Sequence, residues 1–459
     1  MKQSAAGCQH FREPGSFKRL SLPLNCSWIA AGGAVDTASQ WLRVVVLLHL
    51  GGETMVGALA LAFAVCAPVY ALTNLGLRGA VATDARNQYQ LADYLALRLV
   101  TSLLALLVVG GIVWATQHDF STALLILLVG AAELFKAVSD VFHALAQQNE
   151  RMDRFAISLM IRGPLMVAVL ALGVYATGSL LGAVAALPLV AAGTLLLYDV
   201  PNARRIIEAL RSDAARTPGG RIPHASGLAP RWRLPTMLRL ARLSMPLGVV
   251  ITMLALQVSI PRYLISYHLG NHALGVFVSV FYLGMIGSRA AGAIGQSSGP
   301  RLARYFAAAD IRAYSRLLGK LLALVAAVGI ATVLGVALLG GPILALIYKP
   351  HFAAYAELAV YLMAAAAVGY LAHPLGIALE AMRRFKTHMA IRASGIAVLL
   401  VAAAVLIPAY GLKGAALAMI LSSATAVAGC AYAVAGALSR SNAGRRAELP
   451  ISAPLSRAA

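Results

Sequence analysis

The sequence predicts an all-α polytopic membrane protein: twelve transmembrane helices in two six-helix lobes that are parallel internal repeats. Composition is the first reason. Of 459 residues, 60% are hydrophobic and only 12% charged, more apolar surface than a soluble domain of this size hides. The second is a set of apolar runs long enough to span a bilayer, centred near Val35, Phe63, Ala105, Val129, Val167, Leu189, Met253, Val280, Ala326, Ala365, Leu400 and Ala424. The third is recurrence. His143, Glu150, Arg154, Phe155, Ile161 and Arg162 are matched 230 positions on by His373, Glu380, Arg384, Phe385, Ile391 and Arg392.

Charge sets the orientation. The net charge of +21 has no place inside the apolar runs and falls to the loops. Segments after even-numbered spans hold Arg78, Arg151, Arg204, Arg301 and Arg383 among others, whereas those after odd-numbered spans hold only Lys349 and Lys413. The positive-inside rule then places both termini in the cytosol. No soluble stretch is long enough to fold a nucleic-acid reader, so no nucleic acid is expected as partner. The four cysteines are scattered without metal or redox spacing, and neither a metal nor a cofactor is expected.

The chain divides into a cytosolic N-terminal tail without a cleavable signal (1–26), a first lobe (27–199), a basic cytosolic linker (200–242), a second lobe (243–437) and a polar cytosolic tail (438–459) expected to be disordered. Asn202 to Arg211 reads either as an amphipathic helix on the anionic inner leaflet or as a solvated linker. Prolines inside spans, such as Pro68, Pro164 and Pro374, are expected bending points.

Each lobe has an even number of helices, so both enter the membrane in the same sense; such parallel repeats bind substrate between the halves. The first span carries Asp36, Gln40 and Arg43 on one face, and the seventh supplies Arg262 at matching depth. Arg43, His49 and Gly51 pair in the repeat with Arg262, His268 and Gly270, and Arg78 and Asp84 with Arg304 and Asp310. From the cytosolic side Arg98, Arg162, Arg289 and Arg392 enter spans three, five, eight and eleven. Arg162 lies about 12 Å deeper than Arg154 at helical rise. Arginine stays charged and its planar fork matches phosphate oxygens, so a cavity lined by these six suits an anionic, phosphorylated substrate. Arg98 and Arg289 have the alternative of snorkelling to the cytosolic surface.

Charge also recurs inside the fourth span. Glu133, Lys136, Asp140 and His143 share one helical face, costly in lipid and so turned inward. Lys136 there has Glu133 and Asp140 within pairing distance on its own helix. Asp36 is either a protonatable group coupling transport to an H+ or Na+ gradient or a hydrogen-bonded structural acid. The inner-loop charges Asp84, Glu150, Arg154, Glu380 and Arg384 read as topology and loop-bracing groups, with gating as the alternative.

The run Leu77-Arg78-Gly79-Ala80-Val81-Ala82-Thr83-Asp84-Ala85-Arg86, then Tyr94 to Arg98, then Gln148-Asn149-Glu150-Arg151-Met152-Asp153-Arg154 leading to Ile161-Arg162-Gly163, resembles bacterial polysaccharide and oligosaccharide flippases. These belong to the larger group that contains multidrug and toxin extruders. The resemblance covers about Trp28 to Ala437. It implies a protein that is not an enzyme: a flippase turning an undecaprenyl-diphosphate-linked oligosaccharide from the inner to the outer leaflet of the bacterial inner membrane. Glycan polymerases and glycosyltransferases of the same pathway would be its partners. A drug extruder of the same fold is the nearest alternative. A membrane-embedded polymerase or ligase is a further one, against which the short outer loops count.

Overall fold

The computed structural model describes residues 20–83, 89–216, 227–308 and 310–447. Among these, nine helical stretches are long and apolar enough to cross a membrane. Three of them are too long to be one span. α1 (Leu22–Thr73), α9 (Leu234–Tyr282) and α13 (Phe385–Ala447) would each reach more than about 70 Å at helical rise, over twice the hydrocarbon thickness. Each is broken by one glycine: Gly52 (φ 77°), Gly270 (φ 79°) and Gly411 (φ 61°). Those backbone angles are open to glycine and almost closed to other residues. Split there, and with the short second arm of α9 continued by α10 (Met285–Ala307), the nine stretches supply twelve spans. Helical geometry instead continues through Pro68, Pro164 and Pro374, so the sharp breaks fall at glycines and not at the prolines.

Between these lie α2 (Leu77–Thr83), α3 (Leu91–Ala115), α4 (Phe120–Gln148), α5 (Met152–Thr177), α6 (Leu180–Val184) and α7 (Ala186–Thr194). A π-turn over Leu195–Asp199 then leads into α8 (Val200–Arg216). After α9 come α10 (Met285–Ala307), α11 (Ile311–Ile347), a 3-10 turn (Pro350–Tyr355) and α12 (Ala356–Ala381).

The chain forms two compact units. Unit 1 is Met1–Arg43 with Val69–Thr252, and unit 2 is Val44–Pro68 with Met253–Ala459. Both α1 and α9 are therefore shared, each giving one arm or part of an arm to either unit.

In unit 1, α8 is the amphipathic helix of the first reading of the linker, but its apolar face is not turned to the leaflet. Its apolar residues Ala203, Ile206 and Ile207 are buried in a core with Leu91, Leu95 and Leu240, so that face meets protein and not lipid headgroups. In unit 2, α13 continues to Ala447, which makes the first residues of the C-terminal tail helical; 448–459 lie outside the described residues, as do 1–19.

The internal repeat also has a different register. The α4–α5 turn places Glu150 at φ 55° and the α12–α13 turn places Arg383 at φ 56°. Arg151 N–H donates to Ala146 O, and Arg384 N–H to Leu379 O, each at 2.9 Å. Equivalent turn residues are thus 233 apart and not 230, because helix ends and turn geometry, not side-chain identity, fix the correspondence. Likewise Gly52, not Gly51, is the counterpart of Gly270.

Asp119 opens α4. Its carboxylate accepts from the Thr122 amide at 3.1 Å and from the Ser121 hydroxyl. Those hydrogen bonds, Ser121's foremost, hold the carboxyl down to about 2. The cap is therefore fully formed above the ordinary value of 3.8 and is lost as pH falls through about 2. Asp119→Ala is expected to fray the first turn at a cost of about 1 kcal/mol, read as faster amide exchange over residues 120–124.

Candidate functional site

In unit 1 the polar face of α4 resolves into two parts. Lys136 Nζ pairs with Glu133 Oε1 at 2.6 Å, which neutralises the part nearer the N-terminus of α4 within one helix. The part nearer its C-terminus is a buried cluster. His143, only 2% exposed, places Nδ1 3.6 Å from Asp140 Oδ1 and Nε2 3.3 Å from Asp199 Oδ1. Ser158 Oγ on α5 lies 3.1 Å from the same Nε2, and the ring meets Phe155 edge-on at 5.1 Å.

Arginines surround this cluster. Arg98, 1% exposed, donates to the Asn74 side chain and acts electrostatically on Asp140, as does Arg78. Arg98 is thus held inside the unit instead of reaching the surface. Arg78 lies 4.1 Å over the Phe155 ring and donates to Gln147 Oε1 at 3.2 Å. Arg162 is buried, and its Nη1 has no hydrogen-bond partner.

On α1, Asp36 Oδ2 accepts from Gln40 Nε2 at 2.8 Å. This arm packs tightly on α5: a methyl on Gly163 would come 2.7 Å from Ser39 Oγ. Asp36 is thereby brought beside the backbone that carries Arg162, while Arg43 is half-buried further along the same arm. In the α4–α5 turn Glu150 is exposed, and Arg154 donates to the Asn202 side chain at the start of α8.

Unit 2 holds the remaining candidates. Arg262 is half-buried, 5.9 Å over the Phe281 ring, with its Nε buried and unpartnered. Arg392 Nε donates to His388 Nε2 at 3.0 Å, and His388 Nδ1 lies 3.2 Å from Glu380. Arg384 is half-buried in the turn, where its carbonyl accepts from the His388 amide. Asp84 and the Arg289 side chain lie outside the described residues.

The breaks in α1 and α9 meet inside unit 2. A methyl on Gly57 would come 1.7 Å from Asn271 O, and one on Gly275 would come 1.8 Å from Glu53 O. Each tip thus seats a backbone carbonyl on the other's glycine. Glu53 also pairs with His351 at 2.7 Å, and the Tyr263 hydroxyl donates to Ala64 O.

Asp199, Ser158, Asn74 and His388 escaped the sequence reading. An acid closing an apolar run looks like the end of a span, and the π-turn that carries Asp199 inward has no sequence signature. Serine and asparagine in membrane helices are too common to stand out. His388 sits just beyond the inner-loop charges, where a histidine reads as solvated.

No protein-family model matches the chain. It is 21% identical over 403 residues, 88% of its length and 96% of the relative's, to the capsular polysaccharide biosynthesis protein CapF of Staphylococcus aureus. Among solved structures it is similar to the lipid II flippase MurJ in an inward closed conformation, with a TM-score of 0.65 and 10% identity over 89% of this chain and 87% of that one. It is likewise similar to an inward-facing multidrug resistance MATE family transporter of the MOP superfamily, with a TM-score of 0.60 and 11% identity over 92% and 96%. The chain is a multi-pass membrane protein with the fold that these transporters and flippases share.

Proposed function

We propose that this protein is a flippase of the bacterial inner membrane, carrying an undecaprenyl-diphosphate-linked oligosaccharide from the cytosolic to the outer leaflet for surface-polysaccharide assembly. The observation that carries this reading is a set of buried guanidinium donors without acceptors. Arg98 Nε, Arg154 Nε and Arg162 Nη1 in unit 1, and Arg262 Nε in unit 2, each lack a hydrogen-bond partner. An unpaired buried donor costs stability, and such donors on strongly donating side chains suit a ligand rich in anionic oxygens, as a diphosphate is. The likeness to a capsular polysaccharide biosynthesis protein and to the fold of a lipid II flippase supports the glycan-lipid class. Both termini lie in the cytosol on this reading, as the arginine-rich even-numbered loops require. Glycosyltransferases that build the oligosaccharide and a polymerase that consumes it are its partners. A cation gradient drives the cycle.

Leaflet sidedness tests the reading. In cells lacking the gene, lipid-linked glycan accessible to an external, membrane-impermeant lectin should disappear and return with the wild-type gene. If accessibility never depends on the gene, the flippase reading is wrong; resistance to cationic drugs that follows the gene would then establish the extruder.

A further inference from the structure

We propose that Asp140, His143 and Asp199 form a proton-binding site inside unit 1, and that the proton held there is the one coupled to transport. The inference deepens the transport reading above and rests on it. Chemistry at the ring is the first argument. Nδ1 faces Asp140 Oδ1 at 3.6 Å and Nε2 faces Asp199 Oδ1 at 3.3 Å. A neutral imidazole has one N–H and would turn a lone pair on one of these carboxylates; only the doubly protonated ring presents an N–H to each, within hydrogen-bond reach of Asp199 and, beyond hydrogen-bond length, at ion-pair distance from Asp140. Ser158 Oγ, 3.1 Å from Nε2, completes a second state. When the Nε2 proton leaves for water, the serine hydroxyl donates to the lone pair it leaves behind. The step moves one proton between solvent and ring nitrogen and changes no oxidation state.

The construction of the site is the second argument. Its groups come from separate elements: Asp140, His143 and Ser139 from α4, Ser158 and Phe155 from α5, and Asp199 from the π-turn. Charged and titratable groups around it are Arg98 on α3, Arg78 on α2, Arg162 on α5 and Tyr198 next to Asp199. The Ser139 and Ser158 hydroxyls also face Asp199, so its carboxylate stands among polar groups brought by two further helices. Asp199 ends a π-turn, an irregularity concentrated at functional sites.

The third argument is the contrast with unit 2. At the register of 233, Gly376 stands where His143 does and His388 where Phe155 does. A methyl on Gly376 would come 2.8 Å from His388 Nε2, so both units place an imidazole between the same two helices, from opposite sides. In unit 2, however, Arg392 Nε donates to His388 Nε2 at 3.0 Å. Arginine keeps its proton, so that nitrogen only accepts, and the single N–H is left for Nδ1 and Glu380 at 3.2 Å. One repeat holds its ring neutral; the other surrounds it with acceptors. Packing alone asks for no such difference.

The test has two independent readouts on the full chain. In nanodiscs with isotope-labelled histidine, the resonance lost in His143→Gln identifies the ring. Both its nitrogens should be protonated at neutral pH in wild type, and only one in Asp199→Asn. In proteoliposomes, an imposed pH gradient should accelerate appearance of lipid-linked glycan on the far leaflet, by up to about tenfold per pH unit for one proton. The ratio of rates with and without the gradient should fall to one in Asp199→Asn and in the milder Asp140→Asn. A singly protonated ring in wild type overturns the site. So does gradient acceleration that survives both asparagine variants, or that is lost only in Asp36→Asn. If no lipid-linked glycan moves while the ring behaves as described, the flippase reading fails and the proton site stands.

Discussion

Gly57→Ala should force the two tips of unit 2 apart, although it adds one methyl group. That methyl would overlap the Asn271 carbonyl oxygen at 1.7 Å, and the reciprocal Gly275→Ala would overlap Glu53 O at 1.8 Å. The obstacle in each case is backbone and cannot swing aside as a side chain would. Overpacking of this kind costs about 1–3 kcal/mol, here charged against the closed tips. Local opening should become roughly 5 to 150 times more frequent. Native Cys66, buried on the same arm of α1, reports it. In a chain without Cys8 and Cys26, its alkylation by an impermeant maleimide should accelerate by that factor, while buried Cys430 does not change. Gly33→Ala is the control. Nothing lies within 4 Å of the methyl it would add, and alanine favours the helix by up to about 1 kcal/mol, so labelling of Cys66 should stay at the wild-type rate. Equal labelling in Gly57→Ala and Gly33→Ala would mean that the tips are not held by this contact.

Gly52 and Gly270 show what was legible in the sequence and what was not. Twelve spans can be counted because each apolar run must cross the bilayer, and a glycine between two runs marks the break. Which glycine breaks is a matter of backbone angle, so the pairing of Gly51 with Gly270 missed by one residue. The repeat missed by three for a similar reason. Glu150 and Glu380 are identical residues in different places: one occupies the left-handed turn position, the other lies within the last turn of α12. Side-chain identity suggested the duplication, whereas turn geometry sets its register. The α4 face was legible because its charges are conspicuous in an apolar run. Its partners were not, since Asp199 reaches His143 from 56 residues away through a turn that composition does not announce. For α8, amphipathicity fixed that one face is apolar but not whether lipid or protein covers it.

The arginines yield the second large effect, one that separates folding from function. Arg262 carries a buried Nε with no acceptor over the Phe281 ring. Leaving such a donor unsatisfied costs about 1–3 kcal/mol, so Arg262→Met should fold as well as wild type or better, with its melting temperature unchanged or raised. Lectin-accessible lipid-linked glycan should nevertheless fall. A charge-assisted hydrogen bond to a diphosphate oxygen is worth about 1.5–3 kcal/mol, a loss of roughly 10- to 150-fold in binding. Arg262→Lys should recover little, because a point charge does not reproduce the planar fork. Arg43 enters through the double variant. If Arg43 and Arg262 act in one step of transport, the Arg43→Ala, Arg262→Ala pair should cost far more than either alone, with a coupling of about 0.5–3 kcal/mol. Effects that simply add would assign the two arginines to separate tasks. A less stable Arg262→Met would make that guanidinium structural, and the diphosphate would then rest on Arg98 and Arg162 of unit 1.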